Sequence, residues 1–342
     1  MRPAGLYSRN DQDMKSLLII GTGSIGERHL RCFQATGRGE VAACEPNPTL
    51  RATIQERYGC KAFASLDEAL AAGTWDASVI CTPAHTHIPI AHRCLEHGSH
   101  ILIEKPLAVS LEGIEALAAL AASKQKVIRV AYVHRSIPVV ASAREIVRSG
   151  RIGEVRHVVV TAGQNFPAAR PAYASTYYAR RSSGGGCIQD GLTHILHAVE
   201  WTLGPIERVY CDASHEALAT EEVEDTVNLT ARLQGNVPAC FSINQFQAPN
   251  EVTLSFNGLL GSVRAEVHRQ RYGIQLQGEP DWTWFDLPAE ERDAMFIRQA
   301  DGFLDAVDGK PDHLATLEDG WQTLKVNLAA LQSADTRKEV II

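Results

Sequence analysis

The sequence predicts an α/β protein in two parts: an N-terminal doubly wound parallel sheet, then an α+β unit with a large open, mostly antiparallel sheet. Three observations predict it. The apolar run Leu17-Leu18-Ile19-Ile20 breaks at once into the glycine-rich turn Gly21-Thr22-Gly23-Ser24-Ile25-Gly26. Strand-length and helix-length segments then alternate with short connections to about residue 132, which calls for parallel strands joined by right-handed crossovers. Beyond residue 204, strand-like segments follow one another across short turns, as in antiparallel pairing.

Each glycine of the first turn has its own task. Gly21 lets the chain leave the strand sharply, Gly23 lets backbone approach a pyrophosphate, and Gly26 lets the next helix pack close to the sheet. A diphosphate would rest on the free amides of a helix over residues 24–34, where the positive end of the macrodipole favours an anion. Gly21, Gly23, Ser24, Ile25 and Gly26 are therefore expected to hold a dinucleotide. The second strand, 41–45, ends in Glu45, placed to accept from the adenosine ribose hydroxyls and to repel a 2′-phosphate. That favours NAD over NADP, with Arg51 the nearest cation.

Further strands are expected over 61–63, 77–81, 100–104 and 127–132, and helices over 48–58, 65–72, 87–96 and 111–124. Asn47 and Ser65 stand as N-caps, and Leu66, Ala69 and Leu70, like Ile114, Leu117 and Leu120, recur at helical spacing. Ligands bind beyond the C-terminal ends of such strands, and two of those ends are chemically loaded. Cys81-Thr82-Pro83-Ala84-His85-Thr86-His87 follows one, and Glu104-Lys105-Pro106 follows the next. A lysine at the end of a buried strand, between an acid and a proline, is placed to point into the cleft.

Residues 135–149 read as a helix, 154–163 as a half-buried strand, and 164–186 as an irregular stretch rich in aromatics and arginines. Gly184-Gly185-Gly186 then opens a helix over 188–203. Strands are expected at 208–211, 225–233, 239–245, 251–256, 262–265 and 273–277, with helices over 289–308 and 317–334. On the 188–203 helix, Asp190 and His194 stand at i and i+4, on one face. Oxidising a secondary alcohol needs a hydride acceptor, a base for the hydroxyl proton and a cation for the developing alkoxide. NAD, His194 and Lys105 would supply these, with Asp190 orienting or tuning the pair.

The formal net charge of −7, with basic residues scattered, gives no footprint for nucleic acid. No apolar run has the length of a membrane span. The eight cysteines are dispersed, without C-x-x-C spacing, and residues 1–13 lack the apolar segment of a secretory signal. A reducing cytoplasm is the expected location. The domain expectation is a disordered extension over residues 1–14, a nucleotide-binding domain over 15–134 and a substrate and oligomerisation domain over 135–342.

The ordered set of the glycine turn, Ile80-Cys81-Thr82-Pro83 with His87, Glu104-Lys105-Pro106, and the triple glycine followed by Asp190 and His194 resembles the Gfo/Idh/MocA family of NAD(P)-dependent oxidoreductases. The resemblance runs from about Lys15 to the C-terminus and includes a final helix and strand. It implies that Lys105 contacts substrate, in a peptide with Pro106 that is often cis, that His194 is the general acid/base, and that Asp190 is its partner. It further implies cofactor contacts from Thr82, Pro83, His87, Glu104 and Lys105, and a homodimer or homotetramer assembled on the C-terminal sheet. Ala84, Ser136 and His197 depart from the common pattern, at positions the resemblance sets near nicotinamide and sugar.

For substrate contacts the residues singled out are Tyr132, Arg135, Phe166, Tyr177, Tyr178 and Arg180, the aromatics to face a sugar ring and the arginines a carboxylate or hydroxyls. His85, His87, His92, His97 and His100 cluster in sequence without forming a coherent metal set, so no metal is expected. The expected activity is hydride transfer between NAD and a secondary hydroxyl, or the ketone, of a sugar, cyclitol or sugar acid. The alternatives are a redox-assisted glycosidase that recycles its NAD and a non-catalytic NAD-binding regulator.

Overall fold

The computed structural model describes residues 14–220 and 222–342; apart from Met14, the expected N-terminal extension lies outside the described residues. The first sheet holds β1 (Lys15–Ile20), β2 (Gly39–Cys44), β3 (Ala62–Phe63), β4 (Ala77–Ile80), β5 (His100–Ile103) and β6 (Ile128–Val130). Their crossover helices are α1 (Ser24–Thr36), α2 (Pro48–Tyr58), α3 (Leu66–Ala71), α4 (His87–Glu96) and α5 (Ile114–Ser123). The strands pair in parallel in the order β6-β5-β4-β1-β2-β3. β1, β4 and β5 are buried on both faces, which is why they read as unbroken apolar runs rather than alternating ones. Asn47 caps α2 by accepting from the Thr49 and Leu50 amides at 3.0 and 3.1 Å, and Ser65 caps α3.

The chain then builds α6 (Pro138–Arg148), β7 (Val155–Gly163), the short α7 (Phe166–Ala169), a π-helical turn over Ile188–Leu192 and α8 (Thr193–Leu203). Five strands follow in succession: β8 (Ile206–Ser214), β9 (Thr226–Leu233), β10 (Val237–Asn244), β11 (Glu251–Gly258) and β12 (Gly261–Glu266). β13 (Arg271–Leu276), β14 (Thr283–Asp286), α9 (Ala294–Val307), β15 (Ala315–Thr316), α10 (Leu317–Thr336) and β16 (Val340–Ile341) complete the chain. The second sheet runs β14-β13-β12-β11-β7-β10-β9-β8-β16, antiparallel except where β7 meets β10. Its strands alternate as a half-buried sheet must. Val158, Val160, Leu254, Phe256, Phe241 and Leu229 face one continuous core, while their neighbours Thr161, Ser242, Thr230 and Asp212 face out.

Three details depart from expectation. The helix foreseen over 188–203 opens with a π turn before becoming α-helical at Thr193. The helix foreseen over 289–308 begins only at Ala294, and β14 is a strand the sequence left unassigned. The chain also crosses back: α9 packs on α1 and β15 adds antiparallel to β6, so a cut at 134/135 does not cleanly divide the two sheets' layers.

Candidate active site

The glycine turn has the shape a dinucleotide diphosphate requires. Gly21 adopts φ +82°, and a Cβ on Gly26 would stand 1.8 Å from the Gly21 carbonyl, so α1 packs against the turn only because both are glycine. Gly23 faces open space, and no side chain caps α1 there, leaving the first-turn amides to an outside anion. The residues present fit an NAD diphosphate. Glu45, at the end of β2, accepts from the Thr22 amide at 2.9 Å and hydroxyl at 3.0 Å through one oxygen, and from the Asn47 amide at 3.0 Å through the other. It fixes the glycine turn from behind and retains acceptor capacity toward a ribose.

Beyond β4, Thr82 packs its methyl against Gly21, and its hydroxyl accepts from Thr86 at 2.7 Å. Pro83 turns the chain, and its carbonyl accepts from the Thr86 amide at 2.9 Å. His87 is buried between two loops, with Nε2 2.8 Å from the Thr82 carbonyl and Nδ1 3.1 Å from that of Pro106. It ties those loops together, so the structure places it behind the cofactor cleft. Glu104 likewise lies beneath the cleft: His29 Nε2 is 2.7 Å from one oxygen, and the Lys105 amide donates to the other at 3.0 Å. Burial works to raise the Glu104 carboxyl, and His29 and Lys105 hold it below its ordinary value. The Lys105–Pro106 peptide is cis.

The Lys105 ammonium reaches the π turn, donating to Asp190 Oδ1 at 2.8 Å and to the Asp190 carbonyl at 2.9 Å. A π turn interrupts the i to i+4 ladder, which leaves that carbonyl open to an outside donor. Tyr177 donates to the same Oδ1 at 3.0 Å. Burial opposes ionisation of Asp190, but Lys105 and Arg170 outweigh it and keep the carboxyl below its ordinary range. Asp190 is thus the partner of Lys105 and Tyr177, not of His194.

His194 is half-buried, with a buried Nδ1 that has no hydrogen-bond partner. Its ring stacks on His134 at 4.7 Å between centroids and meets the edge of Tyr132 at 6.2 Å. Burial, and then the nearby Lys105 charge, push His194 well below its ordinary pKa and bring His134 down to about 4. Both imidazoles are therefore neutral near pH 7. His134, whose Nδ1 is also buried and unpartnered, was not among the residues singled out from sequence. Its position four residues past β6, at another strand's C-terminal end, is the signal that could have found it.

With this geometry in hand, comparison with known proteins is direct. A sequence profile described as an oxidoreductase family with an NAD-binding Rossmann fold matches residues 15–132, and the GFO/IDH/MocA C-terminal domain profile matches residues 140–268. The chain belongs to the Gfo/Idh/MocA family of oxidoreductases. It is 25% identical to inositol 2-dehydrogenase of Rhizobium meliloti over 334 residues, covering 95% of this chain and 98% of that one. It is 29% identical over 204 residues to levoglucosan dehydrogenase of Pseudarthrobacter phenanthrenivorans, covering 56% and 52% of the two chains. Among solved structures, levoglucosan dehydrogenase in complex with NADH and L-sorbose superposes with a TM-score of 0.86 at 21% identity, covering 96% and 99%.

The other substrate-side expectations divide sharply in this family member. Tyr177 is at the site. Tyr132 is not free: only 1% exposed, it stacks on His197 at 3.9 Å and shares a hydrogen bond with Thr193 at 3.2 Å. Arg135 donates from Nε to His197 Nε2 at 2.9 Å and from Nη1 to the Leu314 carbonyl at 3.0 Å, and pairs with Asp319 at 2.9 Å. Phe166 and Tyr178 are core residues of a small cluster with Tyr173, Leu218 and Val223, and the Tyr178 hydroxyl bonds Gln245. Arg180 is exposed, with no side-chain partner among the described residues. Tyr132, Arg135, Phe166 and Tyr178 thus spend their side chains inside the fold, the loop aromatics on one another and Arg135 on buried acceptors.

The three departures are likewise buried in the fold. His197 is 1% exposed and lies behind Tyr132. Ser136 is buried against His313 at 2.7 Å, and Ala84 is buried near Gly184. An open cavity of about 490 Å³ is lined by Arg135, Ser136, Arg144, Trp201, Arg298 and His313, and Lys105, Asp190 and His194 are not part of its lining. Among the described residues no cluster of His, Cys, Asp and Glu suits a metal, and no helix is long and apolar enough to cross a membrane.

Proposed function

We propose that the protein is an NAD-dependent dehydrogenase acting on a secondary hydroxyl, or the corresponding ketone, of a sugar, cyclitol or sugar acid. The observation that carries the reading is the meeting of a Lys105 ammonium, held by Asp190, with a neutral, unpartnered His194 beside a glycine turn built for a diphosphate. NAD, when bound, supplies the hydride acceptor. His194 takes the hydroxyl proton, for which a neutral imidazole is required. Lys105 stabilises the oxygen as negative charge develops on it. Asp190 and Tyr177 fix the direction of the Lys105 side chain, and the Asp190 carboxylate offsets part of the cost of desolvating the ammonium.

Glu45 supports NAD over NADP, because its carboxylate would repel a ribose 2′-phosphate. The outward, polar face of the second sheet, with Tyr210 and Phe285 exposed on its strands, supports assembly into a homodimer or homotetramer. Eight unpaired cysteines fit a reducing cytoplasm. A division at residues 134/135 is the domain reading, with α9 and β15 returning to the first domain.

The test is NADH absorbance with NAD against inositols, aldoses and sugar acids, after assaying the protein for co-purified nucleotide. Net NADH formation with one class supports the reading. Tightly bound nucleotide without net NADH, together with glycoside cleavage, would replace it with the NAD-recycling glycosidase; binding without any reaction would leave a regulator.

A further inference from the structure

Arg170 stands at the rim of the cleft in a position that the proposed chemistry does not use. The loop carrying it is anchored from below by Phe166, Tyr173 and Tyr178, so it is a folded rim. The Arg170 guanidinium lies 5.5 Å over the Phe166 ring, and one Nη is 3.4 Å from the Tyr177 hydroxyl. Tyr177 bonds Asp190, and Asp190 holds Lys105. Four side chains thus form one run from the rim to the group that meets the reacting oxygen.

Arg170 differs from the arginines that brace the fold. Arg31, Arg38, Arg129 and Arg135 each have a carboxylate within ion-pair distance, whereas among the described residues Arg170 has none. Among the described residues its side chain makes one hydrogen bond, a long one, and most of its five donors are unspent. Asp190 acts on Arg170 through space without an ion-pair contact, and its single charge is shared with Lys105, which donates to Oδ1, so two cations face one carboxylate. Arg28 on α1 lies near enough that the two guanidinium charges oppose each other, and Arg28, unlike Arg170, has its own carboxylate, Asp293 at 3.2 Å.

An array of hydroxyls would leave that charge unmatched. A carboxylate would match it, since the guanidinium fork presents two parallel N–H groups at the spacing of two carboxylate oxygens. The NAD diphosphate is a less suitable claimant. Its amides are at the start of α1, while Arg170 is linked through Tyr177 and Asp190 to the end of the cleft where the reacting carbon must sit.

We infer that the substrate carries a carboxylate, as a uronate, aldonate or similar polyhydroxy acid, and that Arg170 is the residue that selects it. The inference rests on the dehydrogenase reading. The carboxylate seats on Arg170 while the reacting hydroxyl lies between Lys105 and His194, so the distance between the two groups on the substrate becomes the selection rule.

The experiment measures NADH formation by the full chain with three matched panels: uronates and aldonates, the neutral aldoses and inositols, and sugar phosphates. The wild type should favour the carboxylates in kcat/KM by at least about tenfold. Arg170→Gln should lower kcat/KM for them by roughly 10- to 100-fold, mostly through KM, as expected for a hydrogen-bonded charge pair. The acid-to-neutral ratio should collapse toward one, and Arg170→Lys should restore part of it. Four results overturn the inference: preference for neutral polyols, preference for phosphate esters, equal losses on all panels in Arg170→Gln, or a raised KM for NAD with the acid-to-neutral ratio unchanged. Neutral polyols turned over well would sink the inference and leave the dehydrogenase reading standing. No NADH from any panel, with NAD bound, would sink both.

Discussion

Helix α8 carries two histidines three residues apart that live in opposite conditions. His194 faces the cleft with a ring nitrogen buried and unpartnered, against a second neutral imidazole and an ammonium. His197 has every valence used. Arg135 donates to its Nε2, which fixes the proton on Nδ1; Nδ1 then donates to the Thr323 hydroxyl at 2.9 Å, and Thr323 donates to Glu200 Oε2 at 2.7 Å. One histidine keeps unspent hydrogen-bonding capacity for a ligand, and the other ends a structural chain. Residue type and helical position do not separate them; the neighbours do.

The largest expected effects test that contrast directly. His194→Ala and Lys105→Ala should each lower kcat by roughly 10²- to 10⁴-fold while NAD still binds, since general acid–base and electrostatic assistance contribute on that scale. His194→Ala should change unfolding free energy by no more than about 1 kcal/mol. His197→Ala should do the reverse, costing roughly 2–4 kcal/mol in denaturant unfolding, because it removes a stacked ring, leaves the buried Arg135 Nε without its acceptor and takes from the Thr323 hydroxyl its donor. Near-normal turnover in His194→Ala, or an undisturbed melt in His197→Ala, would erase the distinction.

The structural chain has its own pH signature. Burial pushes the Glu200 carboxyl up to about 7 from its ordinary 4.5, more than its hydrogen bonds lower it. Folded protein therefore holds a proton that unfolded chain releases, and stability from this group is lost as pH rises from 4.5 through about 7. The loss is at most about 3 kcal/mol. Glu200→Gln, neutral throughout, should narrow the difference in unfolding free energy between about pH 5 and pH 8. An unchanged pH slope would mean Glu200 is ionised in the fold.

On the nucleotide side, Glu45→Ala should weaken NAD by about tenfold, as loss of a charged hydrogen-bond acceptor does, and should narrow the preference over NADP. Equilibrium titration with both nucleotides decides it; a constant ratio would assign Glu45 to the support of Thr22 alone. The smallest effect is expected at Arg180. Arg180→Ala should hold kcat/KM within about twofold and stability within about 0.5 kcal/mol, as exposed substitutions do.

How much of this could be read in the chain depends on how local each determinant is. The glycine turn, the Asn47 and Ser65 caps and the loaded ends of β4 and β5 are set by contiguous residues, and they stand where the pattern put them. Lys105, Asp190 and His194 were legible as candidates, but the pairing of Asp190 was not. That pairing depends on a π turn whose extra residue redirects a carbonyl and a carboxylate toward another domain's lysine. Tyr132, Arg135, Phe166 and Tyr178 carry the residue types of a sugar site and serve the core. His134 and Arg170, absent from the sequence-based selection, reached the cleft because the loops bearing them fold over other groups' surfaces.

The sequence by itself determined the two-part α/β architecture, the parallel pairing of the first sheet and a glycine turn suited to a diphosphate, because periodicity, glycine placement and strand-end chemistry act over a few residues. Only the tertiary structure decided which polar side chains remain unspent. Whether a histidine, tyrosine or arginine meets its partner inside the fold or keeps its valence for a ligand depends on residues far away in the chain, such as Thr323 for His197 and Asp190 for Lys105. Burying a polar group without a partner costs free energy, and the stacked pair His134 and His194 each keep such a nitrogen beside Lys105.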